Sequence, residues 1–192
     1  MKIAIFGDSI STKVEMKTLT EKFLEQMGVP GEVVLFAVAG EDTSVAKKRL
    51  VQVVPANADY NFIFFGANDA AIHHDVSPEQ FTENLIKFAT ALGVEKTTFL
   101  TTPYVNEEAI AETQLMVGRS NANVSQYVAA AKKASEQTGA QILDLNHAMT
   151  VYPGSDEFVG ADGLHFTRVG YELVTSLIAV NVRTREMEKS HD

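Results

Sequence analysis

Five short apolar runs, separated by stretches of helical spacing, constrain the fold of this chain more than any other feature. The runs are Ile3–Phe6, Val33–Val38, Phe62–Phe65, Thr97–Thr101 and Gln141–Leu145. Between about Thr12 and Met27, residues Leu19, Phe23, Leu24 and Met27 recur at helical spacing, and Gly28 is a stop signal. A helix starting at Thr43 would hold Val45, Ala46 and Leu50. Ser77-Pro78-Glu79-Gln80 reads as a capping box with proline in the first turn. The helix it opens puts Phe81, Leu85, Phe88 and Leu92 on one face and ends at Gly93. Asn121 to Thr138 carries Val124, Tyr127, Val128, Ala131 and Ala134, with Gly139 behind it. A last helix from about Thr167 to Arg183 buries Val169, Leu173, Leu177 and Ile178. Tyr104–Gly118 reads as a loop, a short helix or both, and Arg183–Asp192 as a polar tail that frays or extends the last helix. Strands bounded by helices imply an α/β fold: a parallel sheet with helices on both faces. The runs are mostly apolar rather than alternating, as strands covered on both faces should be.

Composition narrows the function classes. At 192 residues, one domain spanning 1–192 is the default. There is no cysteine, which rules out disulfides, zinc ribbons, iron–sulfur clusters and a thiol nucleophile. The formal charge of −9 argues against a general surface for nucleic acid or anionic membrane, because phosphates would be repelled. No apolar run reaches the roughly 18 residues of a membrane span. Ile3–Phe6 is too short for the apolar core of a signal peptide, and Asp8 ends it, so a cytoplasmic location is the expectation. Exposed apolar positions could support a homodimer.

In open parallel sheets, ligands bind beyond the carboxyl ends of the strands. The residues expected there are Gly7-Asp8-Ser9, Ala39-Gly40-Glu41, Gly66-Ala67-Asn68-Asp69 and Thr102-Pro103, with Asp162-Gly163-Leu164-His165 ahead of the last helix. Together they supply a hydroxyl, an imidazole and a carboxylate, the parts of a nucleophilic triad. Ser9 at a strand-to-helix turn could project its hydroxyl above the sheet. His165 could take its proton, and Asp162 could bond the other ring nitrogen. Gly40 lets a backbone N–H approach a substrate, and Asn68 offers an amide donor. With the N–H of Ser9 these make an oxyanion hole. Taken singly, Ser9 reads as a helix cap, Gly40 as a turn glycine, Asn68 as a turn former, Asp162-Gly163 as a turn and His165 as a half-buried polar residue. Their order along the chain, each near a predicted strand end, favours the site.

Gly7-Asp8-Ser9-Ile10, Gly40, Gly66-Ala67-Asn68-Asp69 and Asp162-Gly163-Leu164-His165 resemble the four sequence blocks of the SGNH, or GDSL-type, hydrolases. Ile10 stands where the family name has leucine, a conservative change. The resemblance implies a three-layer α/β/α sandwich with a five-stranded parallel sheet, similar to flavodoxin. It implies Ser9 as nucleophile, Gly40 and Asn68 as further oxyanion donors, His165 as general base and Asp162 as its orienting partner. Arg119-Ser120-Asn121 and the helix after it look similar to the branch containing isoamyl-acetate-type esterases. The substrate implied is a small-molecule ester, and no metal or organic cofactor is implied. An acyltransferase, thioesterase or carbohydrate deacetylase would use the same residues. A non-catalytic flavodoxin-like binding module would keep the sheet but leave Asp162 and His165 without a purpose.

Other residues invite chemistry that the sequence does not support. His73-His74-Asp75 looks metal-binding, but adjacent histidines usually point apart and no third ligand has suitable spacing, so it reads as a loop beside the site. Asp8 and Asp69 read as caps or loop anchors. Asp144 and His147 could form a competing pair. Lys47-Lys48-Arg49 reads as a solvated helix face, and Leu115 and Met116 as residues under a lid or in ordinary packing.

Overall fold

Ile3, Ile5, Tyr60, Phe62 and Phe99 are wholly withdrawn from water, and they mark the middle of a sheet. The computed structural model describes residues 1–113, 118–152 and 155–190. Its strands are β1 (Lys2–Gly7), β2 (Glu32–Ala37), β3 (Tyr60–Phe64), β4 (Thr97–Leu100) and β5 (Gln141–Leu143). All neighbours are parallel, in the order β2-β1-β3-β4-β5. Phe6 lies opposite Phe36 on one side and Ile63 on the other. The order reverses between β1 and β3, so the crevice of this doubly wound sheet opens beyond those two strands. The three inner strands are buried on both faces, as their mostly apolar runs predict. β2 and β5 lie at the edges and are partly open.

The helices are α1 (Val14–Gln26), α2 (Thr43–Ala46), α3 (Leu50–Val53), α4 (Pro78–Leu92), α5 (Glu107–Ala111), α6 (Asn121–Thr138), α7 (Leu145–Val151) and α8 (Arg168–Lys189). α1 packs on α8 and α4 on α6, which places helices on both sides of the sheet. Each of the three long helices after α1 has a hydroxyl cap. Ser77 accepts from the Gln80 N–H, Ser120 from Asn123 and Thr167 from Gly170. Such caps satisfy N–H groups that a helix start leaves without partners. Beneath the crevice, the Phe6 ring meets Phe65 edge-on at 5.0 Å and Phe88 at 5.1 Å, giving the loops above a stiff floor.

Several expectations are corrected, and two that left alternatives open, Tyr104–Gly118 and the tail after Arg183, are resolved. The helix from Thr43 is broken by a 3-10 turn at Lys47–Arg49 into α2 and α3. Strand five stops at Leu143, because the Asp144 side chain caps α7, a helix absent from the sequence reading. Tyr104–Gly118 does contain a short helix, α5. The last helix runs on to Lys189, because Val182 and Arg185 are buried and continue its inner stripe. Val169, expected inside, is 43% exposed; Tyr171, Val174 and Ile178 take the buried face. Lys47 and Lys48 are exposed, but Arg49 pairs with Glu41 and lies over the Phe6 ring. Leu115 and Met116 lie outside the described residues. Among the described residues, no helix is long and apolar enough to cross a membrane.

Candidate active site

The chain leaves β1 through Asp8, which is buried at the switch point. The Asp8 carboxylate accepts the Ile10 N–H at 3.0 Å, and its carbonyl accepts the Ser11 N–H at 3.0 Å. These bonds wind Ser9–Thr12 into one 3-10 turn with half-buried Ser9 at its head. The Tyr171 hydroxyl of α8 donates to the Ile10 carbonyl at 2.9 Å and ties the turn down.

The loop before α8 reaches the same place from the other end of the chain. Gly163 has φ +74°, and a Cβ there would come within 2.5 Å of the Ile110 nitrogen and 2.6 Å of the Asn106 carbonyl. Only glycine lets this loop lie so close to α5. The next residue, Leu164, is buried and anchors it. Asp162 Oδ1 accepts the N–H groups of Leu164 and His165 at 3.0 and 2.9 Å. Asp162 Oδ2 lies 2.7 Å from His165 Nδ1, and His165 Nε2 lies 2.9 Å from Ser9 Oγ. Partial burial pushes the Asp162 carboxyl up. The N–H of Leu164, the His165 ring and the His165 N–H outweigh this and hold it below the usual carboxylate range. An ionised carboxylate can only accept, so Nδ1 carries a hydrogen, and in the neutral ring Nε2 is the acceptor facing Ser9.

Gly40 and Asn68 stand on the loops after β2 and β3. Among the described residues, the N–H groups of Ser9 and Gly40 donate to no acceptor. Asn68 Nδ2 donates to the Glu41 carbonyl at 3.0 Å, and an amide nitrogen has a second hydrogen to give. Asp69 fastens the same loop to the start of α2, accepting the Thr43 N–H at 3.0 Å and the Thr43 hydroxyl at 2.5 Å. Burial lifts the Asp69 carboxyl to about 6, although the Thr43 bonds pull it down. Ser9, Thr12, Lys13, Ala39, Asp162 and His165 line an open cleft of about 300 Å³.

All three members of the expected triad are therefore in hydrogen-bonded series, and Asn68 bonds the residue next to Gly40. Asp8 and Asp69 act as anchors, as expected. The His73 and His74 rings do not point apart; they stand 4.4 Å apart in a 3-10 turn, and His74 Nδ1 lies 2.7 Å from Asp42 Oδ2. Among the described residues, no group of three or more His, Cys, Asp or Glu could hold a metal. Asp144 takes the backbone N–H of His147 and pairs with Lys132 rather than with the His147 ring. Sequence reasoning missed three contacts. They are the Asp42–His74 pair, the α5 surface under Gly163 and the grip of Arg119 on Asn68, for which the only signal was a loose family likeness.

A hydroxyl, an imidazole and a carboxylate stand in series above the strand ends of a flavodoxin-ordered sheet, an arrangement chemically able to carry acyl transfer. Comparison with known proteins agrees. Residues 5–173 match the model of the GDSL-like Lipase/Acylhydrolase family, and the chain belongs to that family. It is a hydrolase acting on esters. The solved lipase/acylhydrolase from Enterococcus faecalis is 34% identical, with a TM-score of 0.89 and 96% of each chain covered. The isoamyl acetate-hydrolyzing esterase 1 homolog of Bos taurus is 27% identical, covering 91% of this chain and 78% of that protein. An alpha/beta hydrolase enzyme from the metagenome of Lake Arreo, Spain, is 17% identical with a TM-score of 0.71 over 93% of each chain, and shares the fold.

Proposed function

We propose that the chain is a serine esterase of short acyl esters, with Ser9 as nucleophile, His165 as general base and Asp162 as its orienting partner. Ser9, Gly40 and Asn68 supply the oxyanion hole. The observation that carries this reading is the unbroken series Asp162–His165–Ser9, at 2.7 and 2.9 Å, between residues 156 positions apart. The cleft of about 300 Å³ beside Ser9 suits a small acyl group.

His165 Nε2 takes the Ser9 proton as Oγ attacks the ester carbonyl carbon. The imidazolium that forms is stabilised by the Asp162 carboxylate. The carbonyl oxygen becomes an oxyanion and accepts hydrogen bonds from the Ser9 and Gly40 N–H groups and from Asn68 Nδ2. Donors already in place need no reorganisation as charge develops, and one such donor contributes about 3 kcal/mol. The carbon–oxygen bond to the alcohol then breaks, and the alcohol leaves with the proton from Nε2. Water gives a proton to Nε2, attacks the acyl-enzyme, and the acid is released as Oγ recovers its proton.

Ser9→Ala removes the nucleophile from a half-buried position and leaves the backbone bonds of the turn intact. It is expected to abolish hydrolysis of p-nitrophenyl acetate while the circular-dichroism spectrum stays that of the parent. A fluorophosphonate should label the parent at Ser9 and leave the variant untouched. Parent-level turnover by the variant would remove Ser9 from the mechanism.

A further inference from the structure

One buried cation beneath the site reaches two consecutive residues of the loop after β3. Arg119, just ahead of α6, is 4% exposed. Its Nε donates to the Ala67 carbonyl at 2.7 Å and its Nη2 to Asn68 Oδ1 at 3.1 Å. A guanidinium has donors and no acceptor, so the Asn68 atom that faces it must be the amide oxygen. The Glu41 carbonyl has only acceptor capacity, so the atom facing it must be Nδ2, at 3.0 Å. The amide is held from both ends and its flip is settled. One Nδ2 hydrogen goes to Glu41, and the other is committed to nothing among the described residues.

We propose that Arg119 is a positioning residue for the ester hydrolysis described above, keeping the Asn68 amide turned so that its nitrogen, not its oxygen, meets the developing oxyanion. The inference rests on the serine-esterase reading. The terminal torsion of asparagine is broad and nearly two-fold, so an amide left with the Glu41 carbonyl as its one anchor would sample the flipped state more often. That state presents a lone pair where negative charge forms. The guanidinium also draws electron density from the amide oxygen, which sharpens the nitrogen as a donor. Its rigid fork spans a backbone carbonyl and a side chain at once, which the point charge of lysine does not reproduce.

The test is a double-mutant cycle with two readouts. Arg119→Met is expected to lower kcat on p-nitrophenyl acetate by about thirtyfold or more, in the range of a lost oxyanion donor. KM should stay within about threefold of the parent, because the donor acts on the transition state. Arg119→Lys should fall between. In an Asn68→Ala background neither change should lower kcat by more than about twofold, since the group Arg119 acts through is gone. Ser9 labelling counts competent molecules, and if the methionine variant does not fold, the lysine variant carries the cycle alone. The second readout needs no substrate. The Asn68 Nδ2 hydrogens should give two resolved, slowly exchanging nitrogen-15 signals in the parent and shifted, fast-exchanging ones in the folded Arg119 variants. Additive losses in the cycle, or unchanged amide signals in the variants, would overturn the proposal. Full turnover by Ser9→Ala with the amide signals behaving as described would instead overturn the serine-esterase reading, and with it the catalytic role of the amide, while the hold of Arg119 on Asn68 would stand.

Discussion

Asp8 precedes the proposed nucleophile and is 2% exposed. Burial raises its carboxyl to about 7 from the ordinary 3.8; the Ile10 N–H opposes that rise, nearby Asp69 adds to it, and Arg119 opposes it again. A carboxyl raised in the folded state binds more protons there than in the unfolded chain between the two values. Its contribution to stability is therefore fully present below about pH 4 and is lost as pH rises through about 7. Asp69, raised to about 6, adds a change of the same sign. Asn at position 8 keeps an oxygen for the Ile10 N–H and cannot ionise. Asp8→Asn should then raise Tm relative to the parent at about pH 8 and by clearly less at about pH 5. An equal difference at both pH values would show that Asp8 does not titrate in this range. Ser9, Asp162 and His165, each unremarkable taken singly, were picked out by their order along the chain near predicted strand and helix ends and by the family resemblance, and the structure brings them into one hydrogen-bonded series. Arg119 was not legible in that way. Its role depends on which carbonyl and which amide lie beside it, and those are set by folding.

Among the elements, the loop after β3 shows most directly how backbone shape serves the site. Gly66 has φ +119°, and a Cβ there would lie 1.9 Å from the Thr102 hydroxyl oxygen, itself buried two residues past the end of β4. Gly66→Ala combines a strained backbone with a collision. It should cost about 2 kcal/mol or more, read as a lower Tm, and displace Ala67 and Asn68, lowering kcat at the same time. A variant that melts and turns over like the parent would show that the loop relaxes without moving the amide. The long elements were readable because their signals are local: apolar runs for β1 and β3, a capping box with a periodic face for α4, and a periodic face with a stop glycine for α6. Asn121–Thr138 is found with the boundaries its periodic face and stop glycine imply. The short helix α7 was not readable, since its apolar start at Leu145 continues the run of β5. What ends the strand is Asp144 turning to take the His147 N–H, with Thr101 and Lys132 as further partners. Val169 was misplaced for a similar reason. A periodic stripe shows that a helix has an inner face, but which turn meets the sheet depends on how the helix docks.

Across the whole molecule the two ends of the sheet have different work. The proposed chemistry lies at the carboxyl ends, on loops that Asp8, Asp69 and Glu41 hold in place. At the opposite end the last turns of α8 close over the start of β3. The Tyr60 ring lies under the Arg185 guanidinium at 4.4 Å and the Lys189 ammonium at 4.6 Å. Its hydroxyl donates to Glu186 and accepts from Lys189 at 2.7 Å. Burial and the Glu186 carboxylate push the Tyr60 hydroxyl up from its ordinary value, so it stays a donor. Tyr60→Phe keeps the ring and both cation contacts, and leaves Glu186 and Lys189 paired with each other at 2.9 Å. The loss is then about 1 kcal/mol, that of hydrogen bonds whose partners are not stranded. It should appear as a lower urea midpoint with an unchanged slope. Because Tyr60 sits at the far end of β3 from Gly66 and Asn68, kcat on p-nitrophenyl acetate should stay within about twofold of the parent, as for distant sites that share no partners. A fall in kcat with no change in the midpoint would mean that β3 transmits the docking of α8 to the oxyanion loop, and that the two ends of the sheet are not independent.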